Sequence, residues 1–178
     1  MDKLFLAAIK EETIGLENFN HVGVGKVNAT YNTLKLINIH KPKIIINYGT
    51  AGAINSKLKG LVECTKFYQR DMDVRGLDFK LGETPFDKIK EIITSKDGYS
   101  CGTGDSFVNK KIDMEVDVVD MEAYAIAKVC KLENIEFKCF KYISDNADQN
   151  ANNDWNANLI LGAKAFAELI KFSRLYQD

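Results

Sequence analysis

The stretch Ile44-Ile45-Ile46-Asn47-Tyr48, followed at once by Gly49-Thr50-Ala51-Gly52, decides the fold class. Three β-branched residues in a row, apolar toward both faces, describe a central strand in a sheet covered on both sides. Just upstream, Pro42 closes a helical stretch from Lys26 to His40, on which Val27, Tyr31, Leu34 and Ile37 recur near one face. Two shorter apolar runs precede it, Leu4–Ile9 and His21–Val24, and both read as strands. Downstream, Leu61–Lys66, Tyr99–Thr103, Val116–Asp120 and Phe137–Ile143 read as four more. A helix is expected over Glu122–Leu132, where Ala123, Ile126, Ala127 and Cys130 follow helical spacing. Leu159, Ala163, Phe166 and Ile170 mark a long C-terminal helix. This alternation predicts an α/β fold: a three-layer sandwich whose central sheet is mixed, mostly parallel, and covered by helices.

Length and charge bound the function. With 178 residues, the chain is expected to form one domain over 1–178. Lys and Arg total 24 against 25 Asp and Glu, so no basic excess is available to neutralise phosphates, and no nucleic-acid partner is expected. Only two histidines, His21 and His40, and four scattered cysteines without a CxxC pair give no metal centre. The apolar run Leu4–Ile9 is too short for a signal peptide, and no stretch is long enough to span a bilayer. The expectation is a reduced, soluble, cytoplasmic protein that does not engage membranes.

Open α/β sheets bind ligands beyond the carboxyl ends of their strands. The residues after each expected strand are therefore informative. They are Gly49-Thr50-Ala51-Gly52, Gly104-Asp105-Ser106-Phe107, Met121-Glu122-Ala123 and Ser144-Asp145-Asn146-Ala147-Asp148, with Glu11-Glu12 near the end of the first strand. Small residues allow close approach of a ligand. Carboxylates without histidines suit acid–base work or the holding of hydroxyls. Taken singly, each has a bland reading: a tight turn at GTAG, a helix-end acid at Glu122, an N-cap at Asp145, a core aromatic at Phe107. The joint pattern, repeated at every strand end, favours a site. Two polar stretches, Gln69–Phe86 and Asp145–Asn158, fit no element; the first is read as functional or as an interface, the second as a solvated start to the last helix.

GTAG, TGDSF, DMEAYAIAKVC and ISDNAD, in this order, resemble the signature segments of the 5′-methylthioadenosine/S-adenosylhomocysteine nucleosidases, within the purine nucleoside phosphorylase superfamily. The likeness runs from AAIKEE to the C-terminal helix, and DMEA joined to ISDNAD is its specific part. It implies a nucleoside phosphorylase-like fold and hydrolysis of the N-glycosidic bond of a 5′-modified adenine nucleoside, with no cofactor and no metal. Nucleoside catabolism and methionine salvage are the implied setting, and a nucleoside the small-molecule partner. Residue by residue, Glu12 matches the carboxylate that activates water, with Glu11 beside it as the alternative, and Asp145 the acid that protonates purine N7. Thr50, with Ala51 and Gly52, matches contacts near water and ribose; Met121 lies under the sugar and Glu122 holds its 2′- and 3′-hydroxyls. Phe107 matches the aromatic stacked on the purine, Val108 the main chain that reads the base edge, and Ser144 the neighbour of the acid. Trp155 falls over the 5′ substituent. Val74, Leu77 and Pro85 match residues lent by a neighbouring subunit, which implies a homodimer with shared pockets.

The chemistry calls for these types. Breaking the bond places positive charge on the ribose and negative charge on the purine, so an acid at N7 and a base on water flank the sugar. The chain departs from the family by its shortness between Glu12 and His21, by Lys10 where an acid is expected, by Asp120 for a glutamate and by Thr50 for a serine. Two other readings stand beside hydrolysis: a purine nucleoside phosphorylase, and a non-catalytic adenine- or nucleoside-binding module. In phosphorylases an arginine lies just before the glycine turn; Asn47 occupies that place, and no arginine precedes Arg70.

Overall fold

The computed structural model describes residues 2–149 and 151–172. Its strands are β1 (Lys3–Ala7), β2 (Phe19–His21), β3 (Ile44–Ala53), β4 (Leu61–Gln69), β5 (Ile92–Ile93), β6 (Tyr99–Thr103), β7 (Val118–Asp120) and β8 (Glu136–Asp145). Its helices are α1 (Lys26–His40), α2 (Ala123–Leu132) and α3 (Ala151–Phe172). All strands belong to one mixed sheet, in the order β2-β1-β3-β7-β6-β4-β5, with β8 paired to both β3 and β4. Five pairings are parallel and three antiparallel. Because β8 joins β3 to β4, the strands β3, β8, β4, β6 and β7 close into a barrel-like ring. Helices α1 and α2 pack together, while α3 lies against β8 and β3.

β3 is the axis of the molecule, and it is longer than the apolar run that marks it. Sequence reading ends this strand at Tyr48. The strand instead carries on through Gly49-Thr50-Ala51-Gly52, because β8 pairs with it along that whole length, Gly49 opposite Lys141 and Ala51 opposite Ile143. A register shift between Ala51 and Gly52 then brings Gly52 opposite Asp145. Such irregularities bend a strand and re-aim its side chains. GTAG is therefore a strand segment rather than a turn after one.

Two apolar clusters hold the layers. Leu4, Leu6, Ile45, Phe67, Val118, Ile126 and Phe137 belong to the larger. Phe5, Ile46, Tyr48, Phe140 and Phe166 form the smaller, where Tyr48 stacks on Phe166 with ring centroids 4.5 Å apart. All four cysteines are buried and free.

α1 has the expected bounds but a different inner face. Ala29, Thr33 and Ile37 are buried, whereas Val27 and Tyr31 are 79% and 67% exposed. The small residues let the helix sit close to its neighbours, leaving the large apolar ones outside. The expected strands at Leu4–Ile9, His21–Val24 and Val116–Asp120 are trimmed to β1, β2 and β7, the second moving two residues toward the N-terminus. β8 reaches Asp145, so that residue ends a strand and is not a helix cap.

Candidate active site

The polar ends of β3, β6, β7 and β8 meet the turn after β1 in one cavity of about 270 Å³. Glu12, Thr50, Ala51, Gly52, Phe107, Val108, Met121, Glu122, Ser144, Asp145 and Trp155, all named from sequence, line it. Val74, Leu77 and Pro85 do not line this pocket; Val74 and Leu77 lie at and around a short 3-10 turn, Arg75–Leu77.

Glu12 sits on a 3-10 turn, Lys10–Thr13, which follows β1 and is pinned by Thr13 Oγ1 to His21 Nε2 at 2.8 Å. That turn buries Glu12 and leaves Lys10 and Glu11 exposed, so Glu12 is the glutamate in the pocket. Its Oε1 accepts from the backbone N–H and the hydroxyl of Thr50, both at 2.7 Å. The Trp155 indole N–H donates to the same hydroxyl at 2.8 Å, which ties α3 to β3. Oε2 is buried and has no partner among the described residues.

Asp145 is bound at both oxygens: Ser144 Oγ donates to Oδ2 at 2.7 Å and the Ala147 N–H to Oδ1 at 2.8 Å. Burial raises its pKa from the ordinary aspartate value, despite those two bonds, with Asp154 and Asp148 adding to the rise. Gly52 is required beside it, since a Cβ there would lie 2.7 Å from Oδ1. Glu122 precedes α2 and accepts from the Gly25 N–H at 2.9 Å. Gly25, at φ 88°, takes a backbone conformation that suits glycine. Burial first, and the Asp120 charge second, raise Glu122 to about 8. Phe107 is half-exposed, presenting a ring to the cavity, while Val108 is buried.

Sequence reading missed the buried charge pair behind this wall. Lys141 Nζ is 2.8 Å from Asp120 Oδ2, and both side chains are almost wholly buried. Asp120 Oδ1 also accepts from Thr103 Oγ1 at 2.5 Å, and Oδ2 from the Ala123 N–H at 2.8 Å. Burial alone would raise Asp120; the Lys141 ammonium and these bonds outweigh it and hold the carboxyl below its ordinary value. Gly49 lies between Lys141 Nζ and the Glu12 carboxylate, each 3.2 Å from where its Cβ would stand. Asn47 is buried, and its amide donates to the carbonyls of Leu6 and Tyr48. Ala8, Ile9, Val24, Arg70, Ser106, Val119 and Asp120 complete the lining. Arg70 escaped notice because β4 was expected to stop at Lys66; it continues to Gln69, so Arg70 is the residue just past the strand's end. Among the described residues, no three His, Cys, Asp or Glu side chains are gathered as a metal set. Nor is any helix among them long and apolar enough to cross a membrane.

Residues 88–172 match the phosphorylase superfamily. Over 175 aligned residues the chain is 32% identical to the 5′-methylthioadenosine/S-adenosylhomocysteine nucleosidase of Buchnera aphidicola, covering 84% of this chain and 74% of that protein. The chain belongs to the 5′-methylthioadenosine/S-adenosylhomocysteine nucleosidase family. The enzyme of the same name from Geobacillus thermodenitrificans is 30% identical, with 83% and 74% covered. The fold is that of the Helicobacter pylori 5′-methylthioadenosine/S-adenosylhomocysteine nucleosidase crystallised with butyl-thio-DADMe-Immucillin-A, at a TM-score of 0.85 and 24% identity over 96% of this chain and 97% of that one. The Helicobacter pylori futalosine hydrolase shares it at 0.85 and 23%, with 95% of each chain covered.

Proposed function

We propose that the protein hydrolyses the N-glycosidic bond of a 5′-substituted adenosine, such as 5′-methylthioadenosine or S-adenosylhomocysteine, to adenine and the free sugar. The observation that carries this reading is the gathering of three buried carboxyl groups, Glu12, Glu122 and Asp145, around one cavity with a half-exposed aromatic ring at Phe107.

In this reading the purine stacks on Phe107 and meets the Val108 backbone. Asp145, whose pKa burial raises, delivers a proton to N7, so the base leaves neutral. Glu12 spends one oxygen on Thr50; the other, buried and unpartnered, accepts a proton from the attacking water. The two groups bear on β3 two residues apart, at Thr50 and Gly52. That offset is about 6–7 Å along a strand. Glu122 grips the diol: near neutral pH its carboxyl is largely protonated and can both donate to and accept from a hydroxyl. Met121 lies under the ring and Trp155 toward the 5′ substituent. The Lys141–Asp120 pair fixes the field beneath the sugar.

The finer reading is a cytoplasmic homodimer that acts in nucleoside catabolism and methionine salvage. Val74, Leu77 and Pro85 of each protomer complete the partner's pocket. Exposed apolar groups on α1, together with Leu77 and Phe86 at 66% and 95% exposure, support a covered face. Incubation with 5′-methylthioadenosine, with and without inorganic phosphate, tests the reaction. Free methylthioribose in both arms is the expected product. Sugar 1-phosphate would make the protein a phosphorylase, and an intact but bound nucleoside a binding module.

A further inference from the structure

Trp155 brings more than a ring to the cavity: its one polar atom is engaged in the support of Glu12. The indole N–H donates to Thr50 Oγ1 at 2.8 Å, and Thr50 Oγ1 lies 2.7 Å from Glu12 Oε1. Chemistry settles the direction of this chain of bonds. An indole nitrogen can only donate, whereas a hydroxyl has one proton to give and two lone pairs with which to accept. Thr50 therefore accepts from Trp155 and directs its single proton at Glu12. The Thr50 backbone N–H donates to the same Oε1 at 2.7 Å. Oε1 is thus an acceptor twice over. The buried Oε2, without a partner among the described residues, is the oxygen left to act. Without the indole, both lone pairs of the hydroxyl are free, and it can turn its proton into the cavity and away from Oε1.

The seat of Trp155 is built along one face of α3. Trp155, Leu159, Gly162 and Phe166 stand at i, i+4, i+7 and i+11, which is one helical stripe. Tyr48 and Thr50, two apart on β3, point to one side of the sheet. The stripe lies along that side. Phe166 stacks on Tyr48 with ring centroids 4.5 Å apart. A Cβ on Gly162 would stand 2.6 Å from Tyr48 Oη and 2.9 Å from the Tyr142 ring, so glycine is what lets α3 lie this close to β3 and β8. Asn158 Nδ2 donates to the Ser144 carbonyl at 2.9 Å, which ties the turn after Trp155 to the end of β8. Together these contacts carry the indole to the Thr50 hydroxyl. A wall for a 5′ substituent needs a ring here, which phenylalanine would supply; it has no use for an N–H aimed at the sheet.

We propose that Trp155 is a positioning residue for the water-activating carboxylate: through the Thr50 hydroxyl it fixes which oxygen of Glu12 is held by the protein and which faces the water. The inference rests on the hydrolase reading above, with Glu12 as the base. It gives α3 a part in the bond-breaking step that is separate from any contact with the 5′ arm.

The test uses Trp155→Phe, which keeps a ring and removes the N–H, and Thr50→Val, which keeps the shape and removes the hydroxyl. Thr50→Ser restores the hydroxyl, and the double variant Trp155→Phe/Thr50→Val closes a cycle. Each is assayed with 5′-methylthioadenosine and with 5′-deoxyadenosine, which lacks the thioether arm. Trp155→Phe should lower kcat by about fivefold or more, with KM held within about twofold, and by the same factor for both nucleosides. In the Thr50→Val background the same substitution should cost nothing further, because its effect passes through the hydroxyl. Thr50→Ser should keep most of the wild-type kcat. Trp155 is the only tryptophan of the chain, so its indole N–H proton gives one NMR signal that needs no further assignment. That signal should move upfield and exchange faster with solvent in Thr50→Val, and hold its place in Thr50→Ser. Near-normal kcat in Trp155→Phe overturns the inference. So does a loss that depends on the 5′ group, which would make Trp155 a wall alone. Losses that multiply in the double variant, or an indole signal unmoved in Thr50→Val, overturn it as well. If Thr50→Val fails to fold, the kcat of Trp155→Phe on the two nucleosides decides by itself. Each of these results leaves hydrolysis standing. A wild type that cleaves neither nucleoside overturns the hydrolase reading, and the inference with it.

Discussion

Asp145 and Glu122 are both carboxyl groups raised by burial, and they make separable predictions. Asp145→Asn keeps the hydrogen-bonding shape but cannot deliver a proton. It should lower kcat by about 10²-fold or more, while adenine binding, read by calorimetry, stays within a few-fold. A variant with near-normal kcat would remove Asp145 from the acid role. Glu122, proposed to hold the diol, also bears on stability. Its folded pKa of about 8 lies above the ordinary 4.5, so the folded protein holds a proton that the unfolded chain releases. Its contribution is therefore complete below 4.5 and fades as pH rises from there to about 8. His21 runs the other way: burial lowers its pKa, so its contribution to the folded state grows as pH rises toward 6.5 and is complete above it. Thermal melts of the free protein between about pH 7 and 8.5 should show Tm falling with pH, and Glu122→Gln should flatten that slope. An unchanged slope in the variant would place the titration elsewhere. At this scale the sequence was informative, because an acid or a ring after each strand is visible without coordinates. Lys141 was not legible: a lysine inside a strand ordinarily reads as solvated, and its partner Asp120 comes from β7, far off in sequence.

At the scale of elements, β3 shows how chemistry is built into a strand. Gly49 and Gly52 leave space that the side chains of Glu12, Lys141 and Asp145 occupy. Glycine weakens a strand, which is why local propensity ends β3 at Tyr48, yet pairing with β8 and, at Gly52 and Ala53, with β7 carries it five residues further. Gly52→Ala tests this arrangement. The added methyl would stand 2.7 Å from Asp145 Oδ1 and 3.1 Å from Ala147 Cβ, so the carboxylate has to move. The expected cost is about 1–3 kcal/mol in stability, as for other overpacked sites, with a larger proportional loss in kcat if the displaced group is the acid, as proposed. Equal activity with an unchanged melting curve would show that the strand has room to spare. The inner face of α1 was misread for a related reason. Periodicity favours the largest apolar residues, Val27, Tyr31 and Leu34, whereas close helix packing selects Ala29 and Thr33. The alternation of strands and helices was readable; the closure of the ring by β8 was not, since pairing one strand with two partners leaves no local pattern.

The whole molecule raises the question of what covers its apolar exterior. Val27 and Tyr31 on α1, and Leu77 and Phe86 in the stretch after β4, are large apolar groups left in solvent by the isolated chain. Val74, Leu77 and Pro85 stand outside the pocket of their own chain, as residues lent to a partner must. If two copies share their pockets, assembly and catalysis are linked by mass action. Leu77→Asp separates this from a folding effect. Leu77 is 66% exposed, so an aspartate there costs the isolated chain little. At a dimer contact the same charge is desolvated without a partner, at a cost of about several kcal/mol. Sedimentation should show the variant shifted to monomer at concentrations where wild type is dimeric. Its specific activity should rise with protein concentration, while its circular dichroism and melting as a monomer remain those of a folded chain. If the lent residues are on one copy and the acids on the other, mixing Leu77→Asp with Asp145→Asn should yield hybrid dimers. One pocket in each then pairs an intact Asp145 with a wild-type Leu77. Activity in the mixture above the sum of the two separate variants is the expected result. A wild type that sediments as a fully active monomer would overturn the shared pocket, and would leave the exposed face of α1 and the 69–86 segment to some other partner.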